Sequence, residues 1–390
     1  MNKTMIAAAL TLATAYAPQA RAADHIKLGF EAGMSGVFGI IGEEMKRGLD
    51  LALEAHGNKL GGLPVTVTTV DDKADPAEAV RVSSKLIDDE KIDIITGLMA
   101  SNTDIAVEKT YIDAGVTVVG ALAGPKEFAG KDCSADAFHV SFQNEDWDDA
   151  LADYMNKKGV KSVYWMGADY QAGWEKIGGG MKLYKGKSIG PVYTPLSQLD
   201  FSAELAQLRD AHPEAVFVFY PGGLGIAFLK QFAQAGLQGK IHIYSEDAMA
   251  NEFTFGALGD AALGVFQAAS WAAAVDNPAN KAFVAAFQKK YNRRPTVFSA
   301  LQYDAANLID SAVTAVKGKI EDKKAFHAAL KKADFQSVRG PFKFNNNNFP
   351  IVNIYFTEIV KGADGKPEPA YRGIAAEGWQ DVYHKECPLK

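Results

Sequence analysis

Polar residues that could bind an anion stand where predicted strands end and helices begin. Ser101 follows the apolar run that ends at Leu98, and Ser35 lies in the Gly-rich stretch 31–42. A helix N-cap serine, the free N–H groups of Asn102 and Thr103 and the helix dipole would together form a carboxylate site at Ser101. The alternative is that Ser101 only caps its own helix.

The stretch FVFYPGGLGIAFLKQF, residues 217–232, combines a strand, a glycine-rich turn and an amphipathic helix. It departs from the dinucleotide fingerprint because Phe228 takes the place of the third glycine, where a bulky side chain obstructs close helix–strand packing. We expect Tyr220 to offer an aromatic ring, and the turn around Gly222 to offer backbone N–H groups, to a small ligand. The alternative is that Gly222 and Gly223 form only a tight turn.

Signatures of catalysis and of cofactor binding are missing from the sequence. It contains neither a G-x-S-x-G nucleophile elbow nor an H-E-x-x-H zinc motif, and its seven histidines are scattered. KGKS at 185–188 is not a phosphate loop, because Met181 stands where the first glycine belongs. We therefore expect no catalytic residues, no cofactor and no metal. A secreted α/β enzyme remains an alternative.

Composition and the N-terminus indicate a secreted two-domain protein. The chain has 390 residues, 48% of them hydrophobic, and a net charge of -6 without clusters of Lys and Arg, so nucleic acid is not an expected partner. Residues 1–22 read as a signal peptide, with Lys3, an apolar stretch and an Ala-x-Ala triplet before a cleavage site near Ala22. In an oxidising compartment the two cysteines, Cys133 and Cys387, are expected to form a disulfide.

Short β-branched runs alternate with helical patterns along the mature chain. This alternation predicts an α/β fold with doubly wound parallel sheets, because parallel strands need crossovers long enough to hold a helix. The pattern starts again near residue 162, which predicts two lobes. The predicted strands are 25–30, 65–70, 92–98, 116–121, 162–168, 189–194, 215–220, 241–246 and 264–270, followed by helices at 278–292, 297–318 and 321–332 and a hairpin at 341–360.

Several segments in order resemble class I periplasmic binding proteins of the branched-chain amino-acid-binding type. They include IKLGFEAGMSGVFGIIGEEMKRGLDLALE, IITGLMASNTDIAV and NKAFVAAFQKKYNRRPTVFSALQYDAANLIDSAV. The resemblance implies a monomeric periplasmic protein whose lobes close on a ligand and deliver it to the membrane permease of an ABC importer.

The same resemblance implies a three-strand hinge, with crossovers near 140–144, 268–272 and 336–342. The first lobe would then comprise 23–141 plus 270–338. The second lobe would comprise 142–269 plus 339–385, followed by a tail at 386–390.

The resemblance also assigns roles to individual residues. Ser101 matches the serine that binds the ligand carboxylate, and Glu246 matches the acid that pairs with the ligand ammonium. Ala121, Leu122 and Ala123 match a turn whose backbone and threonine hydroxyl hold an amino-acid head group, but Ala123 stands in the threonine's place. Tyr170 and Tyr220 fall in turns that face the cleft.

Aromatic residues favour an aromatic ligand over an aliphatic one. Phe38, Tyr170, Trp174 and Tyr220 follow cleft-side strand ends, and ring pairs contribute ~0.5 to 1.5 kcal/mol beyond burial. The segment SVRGPFKFNNNNFPIVNIYFTEIV also resembles family members that take up aromatic acids. The expected ligand is a benzoate or cinnamate derivative, whose phenol could donate to Glu246. A branched-chain or other aliphatic amino acid, a ligand-sensing receptor module and ordinary core packing of the rings remain alternatives.

Overall fold

The computed structural model describes residues 23–389 and contains two sheets. The predicted signal peptide, residues 1–22, lies outside the described residues. Within the described part of the chain, no helix is both long and apolar enough to cross a membrane.

The first sheet has six strands in the order β2-β3-β1-β4-β5-β6. All its neighbouring strands are parallel except for the short β2–β3 hairpin. The strands are β1 Ile26–Ala32, β2 Lys59–Leu60, β3 Leu63–Asp71, β4 Ile94–Gly97, β5 Thr117–Gly120 and β6 Ala137–His139. The helices between them are α1 Gly39–Ala55, α2 Pro76–Lys85, α3 Ser101–Asp113 and α4 Lys126–Ala129. Strands β4 and β5 are buried throughout, as expected for parallel strands covered by helices on both faces.

The second sheet has eight strands, and its core order is β12-β13-β11-β10-β9-β7-β8, with β14 paired to β13. Its strands are β7 Ser162–Ala168, β8 Lys187–Thr194, β9 Ala215–Phe219, β10 His242–Glu246, β11 Val265–Ala269, β12 Lys343–Phe344, β13 Pro350–Lys361 and β14 Pro367–Trp379. Its helices are α5 Asp146–Lys158, α6 Gln171–Leu183, α7 Ser202–Ala211, α8 Gly223–Gln234 and α9 Phe255–Leu258. The predicted hairpin is present as β12 and β13, and β13 joins β11 in antiparallel fashion.

Three late helices return to the first lobe. They are α10 Pro278–Tyr291, α11 Val297–Ala315 and α12 Lys323–Lys332. Helix α11 lies so close to α1 that a Cβ on Gly48 would stand 2.2 Å from the Ser299 carbonyl oxygen. The two-lobed α/β fold predicted from the strand–helix alternation is therefore confirmed.

The chain passes between the lobes three times, between β6 and α5, β11 and α10, and α12 and β12. Arg339, on the third crossover, is fully buried. Its guanidinium donates to the carbonyls of Val140 and Ser141 on the first crossover, at 2.6 and 3.0 Å, and its Nε donates to Asp304 of α11 at 3.0 Å. The Tyr355 hydroxyl on β13 donates to the Arg339 carbonyl at 2.6 Å. Through its side chain and its backbone carbonyl, Arg339 thus ties two crossovers to both lobes.

The predicted disulfide between Cys133 and Cys387 is present, with the two Cα atoms 5.7 Å apart. It joins the loop after α4 to the C-terminal segment across 254 residues of sequence. The end of the chain is therefore attached covalently to the first lobe.

Candidate ligand-binding site

A small cavity of about 40 Å³ lies between the closed lobes at the carboxyl ends of the strands. This is the edge at which open parallel sheets bind ligands. The lining residues are mostly apolar or aromatic, with a few polar groups. They are Phe38, Ile41, Met99, Ser101, Leu122, Ala123, Phe142, Asn144, Trp147, Tyr170, Ala172, Lys176, Phe219, Pro221, Glu246, Ala248 and Phe298.

Ser101 lines this cavity, but it does not cap its helix. Ala100, in an extended conformation, is the N-cap residue of α3, and no side chain caps this end. Ser101 is already helical, and its Oγ accepts a hydrogen bond from Asn144 Nδ2 at 3.0 Å. Asn144 also donates to Glu175 Oε2 at 2.8 Å, so one crossover amide links Ser101 to a residue of the second lobe. The N–H of Thr103, predicted to be a free donor to an anion, instead donates to the Ala100 carbonyl at 3.1 Å.

The turn from Ala121 to Ala123 contributes two side chains to the cavity, those of Leu122 and Ala123. The N–H of Ala121 donates to Gly97 O at 2.9 Å, and the N–H of Ala123 donates to Leu98 O at 2.8 Å. These two amides are already paired inside the protein. The turn therefore offers mainly apolar surface to a ligand, which differs from the backbone grip that the family resemblance implies.

Glu246 lies at the carboxyl end of β10 and is paired inside the cavity. Its Oε1 accepts a hydrogen bond from Lys176 Nζ at 2.5 Å, and the same ammonium donates to the Asn144 carbonyl at 2.8 Å. Asp148 Oδ2 lies 3.8 Å from Lys176 Nζ. Burial, followed by the charge on Glu246, raises the pKa of Asp148. Lys176 is thus the cation that neutralises Glu246.

Three aromatic rings surround the Lys176 ammonium. Its Nζ lies 4.8 Å from the ring centre of Phe142, 5.1 Å from that of Phe219 and 5.7 Å from that of Trp147. Cation–π attraction of this kind is strengthened when the ammonium is removed from water, and Lys176 is buried. Sequence reasoning missed Lys176 because a lysine in the second turn of an amphipathic helix usually faces solvent.

Phe38 and Tyr170 meet across the cleft in an edge-to-face pair, with ring centres 5.9 Å apart. Tyr170 also stacks with Phe219 at 6.2 Å. Both predicted aromatic residues therefore lie in the cavity and connect the two lobes. Burial raises the pKa of Tyr170, so its hydroxyl stays protonated at neutral pH.

Two other predicted aromatic residues lie elsewhere. Tyr220 is buried in the second lobe, where its ring packs on Phe201 at 4.8 Å and its hydroxyl bonds to Thr194 Oγ1 at 2.7 Å. Neighbouring residues of a strand point to opposite faces, so Phe219 reaches the cavity and Tyr220 does not. Trp174 is 47% exposed, and its indole N–H donates to Asp169.

Ser35 and Gly222 are also outside the cavity lining. Ser35 is exposed in the turn before α1. Gly222 has a φ of 57°, and a Cβ there would stand 2.3 Å from the carbonyl oxygen of Val37 on the opposite lobe. Gly222 therefore contributes to the contact between the closed lobes, where only glycine fits.

Comparison with known proteins identifies the family. A sequence model of the family described as periplasmic binding protein matches residues 25–366. The crystal structure of an ABC-transporter solute-binding protein from R. palustris in complex with benzoate superposes with a TM-score of 0.88 and 31% identity, covering 94% of this chain and 100% of that one. A solute-binding protein from Rhodopseudomonas palustris in complex with 3,4-dihydroxybenzoic acid gives a TM-score of 0.84 at 27% identity, covering 92% and 99%.

A curated relative points to a second class of ligand. Leu/Ile/Val-binding protein homolog 6 of Brucella melitensis is 28% identical over 358 residues, which cover 90% of this chain and 91% of the relative. The resemblance read from the sequence segments is confirmed by the family match over residues 25–366. The chain belongs to the periplasmic binding protein family.

Proposed function

We propose that this protein is a periplasmic solute-binding protein that captures a small aromatic carboxylate and presents it to the permease of an ABC importer. The observation that carries the proposal is the ion pair between Lys176 and Glu246 inside the cavity. The family resemblance assigns Glu246 to the acid that pairs with the ligand ammonium, and here the Lys176 ammonium of the protein already pairs with it.

The charge of the cavity favours a ligand with a carboxylate and no amine. An amino acid would have to displace the Lys176 ammonium from Glu246, which would leave that ammonium with the Asn144 carbonyl and with Asp148 Oδ2 at 3.8 Å. Breaking a buried ion pair costs several kcal/mol. A benzoate makes no such demand, because its carboxylate needs only hydrogen-bond donors at the Ser101 end of the cavity and the start of α3.

The residues that line the cavity favour an apolar ring as the body of the ligand. Phe38 and Tyr170 provide aromatic surfaces on opposite lobes, and Leu122 and Ala123 add apolar surface beside them. A ring in this position gains from burial and from offset or edge-on contacts. The benzoate and dihydroxybenzoate complexes of the two structural relatives agree with this ligand class.

A branched-chain or other aliphatic amino acid is the second candidate. Its support is the retained acid at Glu246 and the name of the Brucella relative. It requires Lys176 to leave Glu246, and the structure shows no second acid bonded to Lys176 at hydrogen-bond distance among residues 23–389.

A ligand panel tests the proposal. The purified protein would be titrated by calorimetry and thermal unfolding with benzoate, 4-hydroxybenzoate, cinnamate, leucine and isoleucine, with benzamide and benzyl alcohol as neutral controls. At about 100 times Kd a ligand should add ~2.7 kcal/mol to stability. We expect at least one aromatic acid to bind and the neutral controls to fail. Binding of leucine or isoleucine without binding of any aromatic acid would establish the second candidate. If no compound of the panel binds, both ligand classes are rejected.

A further inference from the structure

Three metal-ligating side chains meet in the interior of the first lobe, apart from the ligand cavity. Asp104 and Glu108 lie one turn apart on α3, and His139 ends β6. Their exposed fractions are 0, 2 and 2%. One ligand atom from each lies within 4.8 Å of the others, and His139 Nε2 is 3.2 Å from Glu108 Oε2.

Several polar atoms of this cluster have no hydrogen-bond partner. Among residues 23–389 no hydrogen bond reaches either carboxylate oxygen of Asp104 or His139 Nδ1, and Glu108 Oε2 has only the 3.2 Å contact with His139 Nε2. Buried polar atoms are normally paired, and an isolated buried carboxylate is especially unfavourable. The cluster therefore lacks a compensating group that lies between its members.

Neither oxygen of Asp104 has a hydrogen-bond partner in this part of the chain, so a proton on this carboxyl would also lack an acceptor. A divalent cation would instead bind the unpaired atoms of both carboxylates together. With a neutral imidazole, two carboxylates and one divalent cation have no net charge, which suits a buried site.

We propose that Asp104, Glu108 and His139 form a structural binding site for one divalent transition-metal ion of the zinc type. Imidazole suits Zn²⁺, whereas Mg²⁺ and Ca²⁺ prefer oxygen ligands alone. Ligands about 2.1 Å from a tetrahedral zinc ion lie about 3.4 Å apart, close to the spacing of His139 Nε2 and Glu108 Oε2.

This site would stabilise the helix that begins at the ligand cavity. Asp104 and Glu108 follow Ser101 on the same helix, so an ion bound to them would hold α3 against β6. The metal proposal does not depend on the identity of the transported ligand, because none of its three residues lines the cavity.

Metal analysis of the full protein tests this proposal. Wild type purified without chelators and then equilibrated with Zn²⁺ should retain about one equivalent after desalting, as structural zinc sites do. Asp104→Asn and Glu108→Gln should each lose that equivalent. Asp113→Asn is the matched control, because Asp113 lies on the same helix but is exposed. EDTA should lower the thermal midpoint of wild type and of the control, and Zn²⁺ should restore both.

Cobalt decides the question if the variants do not fold. Co²⁺ added to EDTA-treated wild type should produce visible absorption bands that saturate at about one equivalent and that Zn²⁺ removes. Zinc retained equally by wild type and both variants would mean binding elsewhere on the protein. That result, or wild type that retains no zinc, shows no cobalt bands and has the same thermal midpoint with and without EDTA, would overturn the proposal.

Discussion

The Lys176 ammonium lies 2.5 Å from Glu246 Oε1, and both residues belong to the second lobe and line the cavity. The ammonium is held further by the Asn144 carbonyl and by three aromatic rings. The cavity therefore contains its own counter-ion for Glu246, and a ligand does not have to provide one. The proposed selectivity of the site for acids without an amine rests on this pair.

Replacing Lys176 by Met should invert the ligand preference. The change leaves Glu246 as an unpaired buried charge, which would repel an aromatic carboxylate and attract an ammonium. We expect the Kd of the aromatic acid to rise roughly 30-fold or more, from the ~2 to 5 kcal/mol lost when one partner of a buried pair is removed. The affinity for leucine should increase relative to the affinity for the aromatic acid. Lys182→Met, exposed on the same helix, is the calorimetric control. Unchanged affinities in Lys176→Met would contradict the proposed role of the ion pair.

Replacing Ser101 by Ala should weaken the binding of any carboxylate ligand. Its hydroxyl is buried at the cavity end of α3 and is hydrogen-bonded to Asn144. A hydrogen bond to a charged group contributes ~1.5 to 3 kcal/mol, so the Kd should rise about tenfold or more. Ser84→Ala is the control, because Ser84 is exposed on α2. A Kd that stays at the wild-type value in calorimetry would remove Ser101 from the proposed site.

Replacing Gly222 by Ala should hinder closure of the lobes. The new Cβ would meet the Val37 carbonyl at 2.3 Å and would require a positive φ of an L-residue. We expect weaker ligand binding and, by small-angle X-ray scattering, a smaller decrease in radius of gyration on adding ligand. Gly256→Ala serves as the control, because a Cβ there meets nothing within 4 Å. Full compaction with ligand in Gly222→Ala would show that the contact is dispensable.

Stability should fall between about pH 4 and pH 7 because of Asp149. Burial, followed by the charge on Glu145, raises the pKa of Asp149 from 3.8 to about 7. The unfolded chain loses this proton first, so the stabilising effect is complete below pH 3.8 and is lost as the pH rises through 7. A pKa shift of roughly three units, at ~1.4 kcal/mol per unit, limits the loss of folding free energy due to Asp149 to about 4 kcal/mol.

Denaturant unfolding across this pH range checks the Asp149 prediction. The free energy of unfolding of Asp149→Asn should depend less on pH than that of wild type. Asp153 is exposed on the same helix, so Asp153→Asn should show the same pH dependence as wild type. Parallel curves for wild type and Asp149→Asn would show that Asp149 does not hold its proton in the folded protein.

The fold was predictable because it depends on local patterns. The strand sequences such as SVYWMGA coincide with β7, and the three late helical patterns coincide with α10 to α12 to within a few residues. Parallel topology followed from the length of the crossovers. The disulfide was expected because only Cys133 and Cys387 are present. The last strand, β14, which pairs with β13, contains few β-branched residues, so the sequence pattern did not predict it.

The site was only partly predictable, because its geometry depends on contacts far apart in sequence. Ser101 and Phe38 were placed in the cavity by their position after strands. Lys176 and Asn144 carry no local signal, since their roles arise from Glu246 and Ser101, respectively. The proximity of His139 to Glu108 could not be predicted from a motif either, because it arises from the packing of β6 beside α3.

Arg339 has a consequence for the motion of the lobes. The Arg339 guanidinium joins the first crossover to the third and to α11. We therefore expect the first and third crossovers to rotate together as one unit. Sliding one lobe past the other would break the buried hydrogen bonds of Arg339, whereas rotating the lobes about the two linked crossovers would not. We therefore expect the lobes to open by rotation about these two linked segments rather than by sliding, which gives one open and one closed arrangement.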